Sequence, residues 1–297
     1  MESRKLSDYS LARSLIQKAV RRGHVGALGR ASAFILKREG GRSWLRTRSR
    51  LIAFEESWPI AGELLAGPGG IEDPAPLLTC ALHSKQKDAT GLGALVRAWA
   101  EGEERALDVA PDRRSVKIVA EGMNRPAAFW GWAKTQAGSR EARLVVAAAQ
   151  QAARVAYSPH DVAMVYSAAY LATQGPLPVL HKVEPEVGPF PYWVAADKHT
   201  TMGAQVLVDV RTALGVTYDA AASMLFLLDG AAVNALEESP WWTAARQLKF
   251  LQIGIREERA VEIMEHLRPM IVKIVGDRVE RELQEEDEGT QISMFTQ

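Results

Sequence analysis

Apolar residues recur every three or four positions over most of the chain, and this spacing predicts helices. In "SDYSLARSLIQKAVRRG" they fall at Leu11, Leu15, Ile16, Ala19 and Val20, with Arg13, Lys18, Arg21 and Arg22 largely off that side. Ser7 or Ser10 can cap this helix and Gly23 can end it. "VGALGRASAFILKREGG" reads as a second, shorter helix closed by Gly40-Gly41, and "RSWLRTRSRLIAFEESWPIAGELLAG" as a third, broken or kinked at Pro59. The loop "GPGGIEDPAP" precedes a short helix through Leu77, Leu78, Ala81 and Leu82.

Further helices are expected over 88–101 and 122–136. Between them, a short strand at 115–119 competes with helix or loop. "SREARLVVAAAQQAARVAY" has Ser139 as cap, and "SPHDVAMVYSAAYLAT" has Ser158 as cap, Pro159 at the first position and Asp161 in the first turn. "QGPLPVLHKVEPEVGPFPYW" carries five prolines and marks the best internal boundary. Helical spacing then resumes over 195–214, 217–229, 240–253 and 256–286. Aromatic and β-branched alternation is scarce, so the expected class is all-α, a multi-helix globular array. The organisation expected is an N-terminal helical domain (1–174), a proline-rich connection (175–194), a C-terminal helical region (195–284) and a flexible tail (285–297).

Hydrophobic residues form 47% of the 297, enough for a sizeable core. No stretch approaches the ~20 apolar residues that span a bilayer. The start "MESRKLSDYS" has no apolar signal segment, and the single cysteine, Cys80, excludes an internal disulfide framework. A cytoplasmic location without a membrane partner is expected. Net charge is zero but unevenly spread: residues 1–50 hold thirteen Lys/Arg against three acids, and 236–297 hold eight against thirteen. A basic start suits nucleic acid or an acidic partner, and it suits solvated helix faces equally well.

Motifs for chemistry are sparse. "GALGRASAF" and "GLGALVRAW" lack the Lys-Ser/Thr of a phosphate-cradling loop. The histidines at 24, 83, 160, 181, 199 and 266 have no metal-ligand spacing, so no metal and no cofactor is expected. Cys80 in "LLTCALH" reads as a buried, inert thiol. "ADKHTTMG" gathers Asp197, Lys198, His199, Thr200 and Thr201, as a polar contact surface or, more simply, a helix cap. Trp130, Trp132, Trp241 and Trp242 read as packing or interface anchors rather than base-stacking platforms. No catalytic residue stands out, and a non-enzymatic role is expected.

Two resemblances direct the functional reading. "QISMF", Gln291-Ile292-Ser293-Met294-Phe295, resembles the pentapeptide by which bacterial proteins bind the DNA polymerase sliding clamp: Gln, any residue, Ser or Asp, Leu or Met, then Phe. The resemblance implies that Gln291 enters a small polar pocket while Met294 and Phe295 fill a hydrophobic one. The preceding "QEEDEGT" spans ~24 Å when extended, enough to hold the peptide clear of the body.

More broadly, Arg21-Arg22-Gly23, Arg48-Ser49-Arg50-Leu51, Glu55-Glu56 and "SPHDVAMVYSAAYLAT" are similar to strings in the helical C-terminal region of the replication-associated recombination ATPases (the RarA/MgsA family). That family's ATPase module is absent here. The resemblance implies an all-helical fold and self-association, and no ATP hydrolysis. The expectation is a non-catalytic DNA replication and repair accessory factor. It binds the sliding clamp through residues 291–295, is a homo-oligomer, and contacts DNA through Arg42, Arg46, Arg48 and Arg50. The alternatives are a structural oligomer partnering a separate AAA+ ATPase, or a clamp-recruited DNA-processing enzyme.

Overall fold

The computed structural model describes residues 2–66, 75–195 and 197–275. Among these, regular structure is fourteen α-helices with no strand, so the all-α expectation holds. The first four helices are α1 (Glu2–Arg22), α2 (Val25–Leu36), α3 (Gly41–Ala66) and α4 (Ala75–Ala81). Then come α5 (Asp88–Ala100), α6 (Arg105–Val109), α7 (Arg113–Asn124), α8 (Pro126–Gln136), α9 (Arg140–Ala153) and α10 (Pro159–Leu171). The last four are α11 (Thr201–Leu214), α12 (Tyr218–Leu225), α13 (Pro240–Ile253) and α14 (Glu257–Val275).

Local chemistry accounts for most boundaries. Ser139 Oγ accepts from Ala142 N and Ser158 Oγ from Asp161 N, as their positions predict. Helix α1 begins at Glu2, so Ser7 and Ser10 lie inside it rather than at its cap. At its other end Gly23 turns left-handed and His24 caps α2: its Nδ1 accepts from Ala27 N, which leaves Nε2 to donate to Gly188 O. The segment 115–119 is helical within α7, started by Asp112, whose carboxylate accepts from the amides of Arg114 and Ser115. The single helix expected over 122–136 is two. Pro126 cannot donate to the preceding turn and instead opens α8.

Helix α3 is kinked, as Pro59 predicts, with the non-helical geometry at Ser57 (φ −148°, ψ 45°). Pro59 has no N–H for Glu55 O, and Thr90 Oγ1 donates to that carbonyl instead, at 2.9 Å. The next carbonyl, Glu56 O, accepts from Gln86 N at 3.0 Å. Gln86 lies in residues 83–87, where the chain runs extended, and Thr90 in the first turn of α5 that follows. This extended stretch bridges three other segments. It pairs through Gln86 with Ser57, through His83 with Lys182 and through Lys85 with Leu236. Main-chain bonds from Ser84 N to His181 O and from Glu237 N to Lys85 O, both 2.8 Å, fasten it on two sides.

Helix α5 packs between α10 and α13, and its two glycines make that possible. A Cβ on Gly93 would lie 2.7 Å from Met164 Cα in α10, and one on Gly91 would overlap the Trp241–Trp242 backbone of α13. The "GLGAL" string is therefore a packing device.

The proline-rich 175–194 stretch joins the two predicted helical regions, and it runs over the body rather than hanging between separate ones. Glu186 N bonds to Gly23 O, Val183 N to Leu82 O, and a 3-10 turn at Tyr192–Ala195 packs on α1. One continuous cluster of buried apolar side chains extends from Leu11 to Val275.

Candidate functional site

The most polar part of the interior lies at the α3 kink. Glu55, Glu56 and Ser57 are buried there, opposite buried Ser84, Lys85, Gln86 and Lys87. Arg21 of α1 enters between them: Nε donates to Glu56 Oε1 and Nη2 to Glu55 Oε1, both at 2.8 Å. Lys87 Nζ takes the second Glu56 oxygen at 2.9 Å, and Gln17 donates to Glu55 Oε2. Arg48 reaches Asp161 of α10 at 3.0 Å and Glu55 at 3.7 Å. Nearby, Trp58 Nε1 donates to Gln86 Oε1 at 2.9 Å.

Charges sealed this deeply are tolerable only because each is paired and hydrogen-bonded. Burial pushes the Glu55 carboxyl up, but Lys87, Arg21 and Arg48 outweigh it and hold it at about 2. Burial likewise opposes the Arg21 and Arg48 cations, and the carboxylates around them still raise both above the ordinary guanidinium range. His160, at the start of α10, is held below the ordinary imidazole range by desolvation. Arg21, Arg48 and Glu55 keep their charges near neutral pH while His160 is held neutral, so the cluster acts as an electrostatic lock among α1, α3, α5 and α10. Lys85 differs. Desolvation lowers its amine to about 8, and among the described residues its Nζ donates to the main-chain oxygens of Ala81 and His83.

The sequence reading put Lys18 and Arg21 largely on the outer side of α1. Both are buried instead, because each has an acid waiting inside: Asp197 for Lys18, and Glu55 with Glu56 for Arg21. A signal for this was present in "LIAFEESWPIAG", where two acids interrupt an otherwise apolar run and so require buried cations.

The four candidate DNA-contacting arginines divide between two faces of α3. Arg42 and Arg46 are exposed and Arg50 is half-buried. Their four-residue spacing keeps them on one stripe. Arg48 falls on the opposite side, 17% exposed, with its guanidinium turned to Asp161 and Glu55. Trp44 lies half-buried beside the stripe, with the Arg13 guanidinium 5.1 Å from its ring centre.

The remaining candidates are structural. Thr200 Oγ1 accepts from Gly203 N and caps α11, while Asp197 turns inward to Lys18 and Ser14. Burial pushes the Asp197 carboxyl up, and Lys18 more than compensates, holding it below the ordinary range. Lys198 and His199 are exposed. Burial drives the Cys80 thiol up to about 12, which makes it inert. Trp130 packs on Phe129 and Tyr166, and Trp132 stacks on Tyr170 with ring centres 6.0 Å apart. Trp241 and Trp242 are buried where α13 meets α5. A shallow groove of about 200 Å³ beside the π-helical turn Phe226–Gly230 is apolar except for Arg246. No group of His, Cys, Asp and Glu suited to a metal ion occurs among the described residues, and no described helix is long and apolar enough to cross a membrane.

Gln291, Ile292, Ser293, Met294 and Phe295 lie outside the described residues. No family model, curated protein or solved structure matches the chain.

Proposed function

We propose that this protein is a non-catalytic accessory factor of DNA replication and repair, tethered to the DNA polymerase sliding clamp by residues 291–295. The observation that carries the reading is the string Gln291-Ile292-Ser293-Met294-Phe295, which meets all four specified positions of the clamp-binding pattern. An extended peptide with two adjacent apolar anchors gains most of its affinity from those anchors in a preformed pocket. Four consecutive acids, Glu285-Glu286-Asp287-Glu288, precede it. The body supplies the second half of the reading: the exposed arginines of α3 face outward, where a clamp-held protein meets the DNA inside or beside the ring. Self-association multiplies such peptides and raises avidity on an oligomeric ring.

The test is clamp binding by surface plasmon resonance. The intact chain, a chain ending at Thr290, and Met294→Ala with Phe295→Ala are compared. The expected result is affinity in about the micromolar range for the intact chain, since few contacts must offset the cost of fixing a peptide in its pocket, and no measurable binding for the other two. Equal binding by all three transfers the contact to the helical body, and binding by none removes the clamp from the proposal.

A further inference from the structure

We infer that the apolar groove beside the π-helical turn is a docking site for this chain's own residues 291–295, and that docking there withholds them from the clamp. The inference deepens the proposed function, as regulation of the clamp-binding peptide, and rests on that reading.

The groove is built to take an extended peptide. Leu227 and Leu228 of the π-turn line one side of it, and such turns occur frequently at functional sites. Ala235 holds a left-handed φ of 45°, a conformation that costs an L-residue and persists where the surrounding fold imposes it. The next residue, Leu236, forms a parallel bridge with Lys85: Lys85 N donates to Ala235 O at 3.0 Å, and Glu237 N donates to Lys85 O at 2.8 Å. This pattern turns the amide and carbonyl of Leu236 itself away from Lys85. Neither has a hydrogen-bond partner among the described residues. The Leu236 side chain is 44% exposed and lines the groove with Val233 and Trp242. An open strand edge beside an apolar groove supplies both parts of strand addition: main-chain bonds for affinity, and a pocket for an apolar side chain.

Residues 291–295 suit this groove in charge and in reach. Glu237 and Glu238 follow Leu236, and Arg246, the one cation lining the groove, is already paired with Glu257. An acidic segment is disfavoured there. Residues 289–297 carry no charged side chain, and they include Ile292, Met294 and Phe295. Helix α14 lies against the π-turn, since Arg268 Nη2 meets Asp229 Oδ1 at 3.0 Å. Its end at Val275 is about 10 Å further along the helix axis. The segment 276–290 can span at most about 50 Å, so the peptide has ample length to return to the groove.

A peptide on the same chain meets its groove at an effective concentration of roughly 1 mM. With a groove affinity of about 0.1 mM, it is docked roughly nine-tenths of the time, and clamp affinity falls about tenfold.

The experiment is fluorescence anisotropy with a labelled peptide of residues 285–297. The chain ending at Thr290 should bind it at about 0.1 mM. Met294→Ala with Phe295→Ala in the peptide, or Leu236→Asp in the chain, should weaken that binding at least fivefold. Leu236 is exposed, and a urea midpoint matching the parent chain shows that the variant remains folded. The intact chain should bind the labelled peptide several-fold more weakly than the shortened one, because its own residues 291–295 compete. In the clamp assay, Leu236→Asp in the intact chain should tighten binding about tenfold.

No binding of the peptide by the shortened chain, binding that Leu236→Asp leaves unchanged, or equal clamp affinity of the intact chain with and without Leu236→Asp would each overturn the inference. Competition that grows with chain concentration would assign the groove to the peptide of a second copy and overturn docking within one chain. The clamp reading fails separately. If the clamp binds neither the free peptide nor the Leu236→Asp chain while the groove still holds the peptide, the clamp is removed and the docking site stands.

Discussion

Arg46 and Arg48 are two residues apart on α3 and have opposite surroundings. One is exposed on the basic stripe, and the other is wedged between Glu55 and Asp161. Two positions along a helix are a turn of ~200°, so neighbouring arginines of identical chemistry reach opposite sides. The inner face is defined by carboxylates fixed within about 4 Å, the outer face by its exposure to solvent. Counting basic residues along the sequence merges these two populations, and helical phase separates them.

The comparison is broken most severely from the inside. Glu56→Ala leaves Arg21 and Lys87, both about 1% exposed, without their shared carboxylate. Removing one partner of a buried ion pair costs about 3–5 kcal/mol. Urea denaturation should show a loss of that size, and the duplex affinity of the fraction still folded should be unchanged.

Acid is the next lever. The Glu55 carboxyl sits at about 2 when folded, against 4.5 ordinarily. A depressed folded pKa means stability that is complete above the unfolded value and lost as pH falls from about 4.5 through about 2. Its full contribution is on the order of 3 kcal/mol. Urea midpoints measured across that window should fall in the parent chain and fall less steeply in Glu55→Gln.

The sharpest comparison is the smallest in energy. Arg48→Ala should cost about 2–3 kcal/mol, since its pairs are partly buried. Arg46→Ala should stay within about 0.5 kcal/mol, as surface substitutions do. Equal losses in the two unfolding curves would mean that the faces of α3 are not distinct.

Much of the helical layout was legible. Ser139, Ser158 with Pro159, Gly23 and Pro59 punctuate the chain where the structure turns, because capping and proline chemistry are local. The break at Pro126 carries the same signal, but apolar spacing that continues on both sides of it masks the boundary. The buried ionic lock was not legible in the same way. Its members, Arg21, Glu55, Lys87 and Asp161, lie on four separate elements, and "HSKQKD" read alone is a polar surface loop. Only tertiary pairing turns those polar residues inward. The prolines of 175–194 marked an irregular stretch correctly. They could not reveal that its free main-chain groups bond to residues 23 and 82–84.

The extended residues 83–87 have a consequence for the order in which the molecule can be completed. Gln86 meets Trp58, 28 positions earlier, Ser84 meets His181, 97 positions later, and Gln86 also meets Glu238, 152 positions later. Closing loops of such different length is a matter of sequence separation and of the order of synthesis. On a ribosome, Glu55 and Glu56 can find Lys87 soon after both have emerged. The far side of that same strand-like segment stays open until residues 235–238 arrive. The N-terminal helices therefore wait, with their charges half enclosed, for the last third of the chain to seal them.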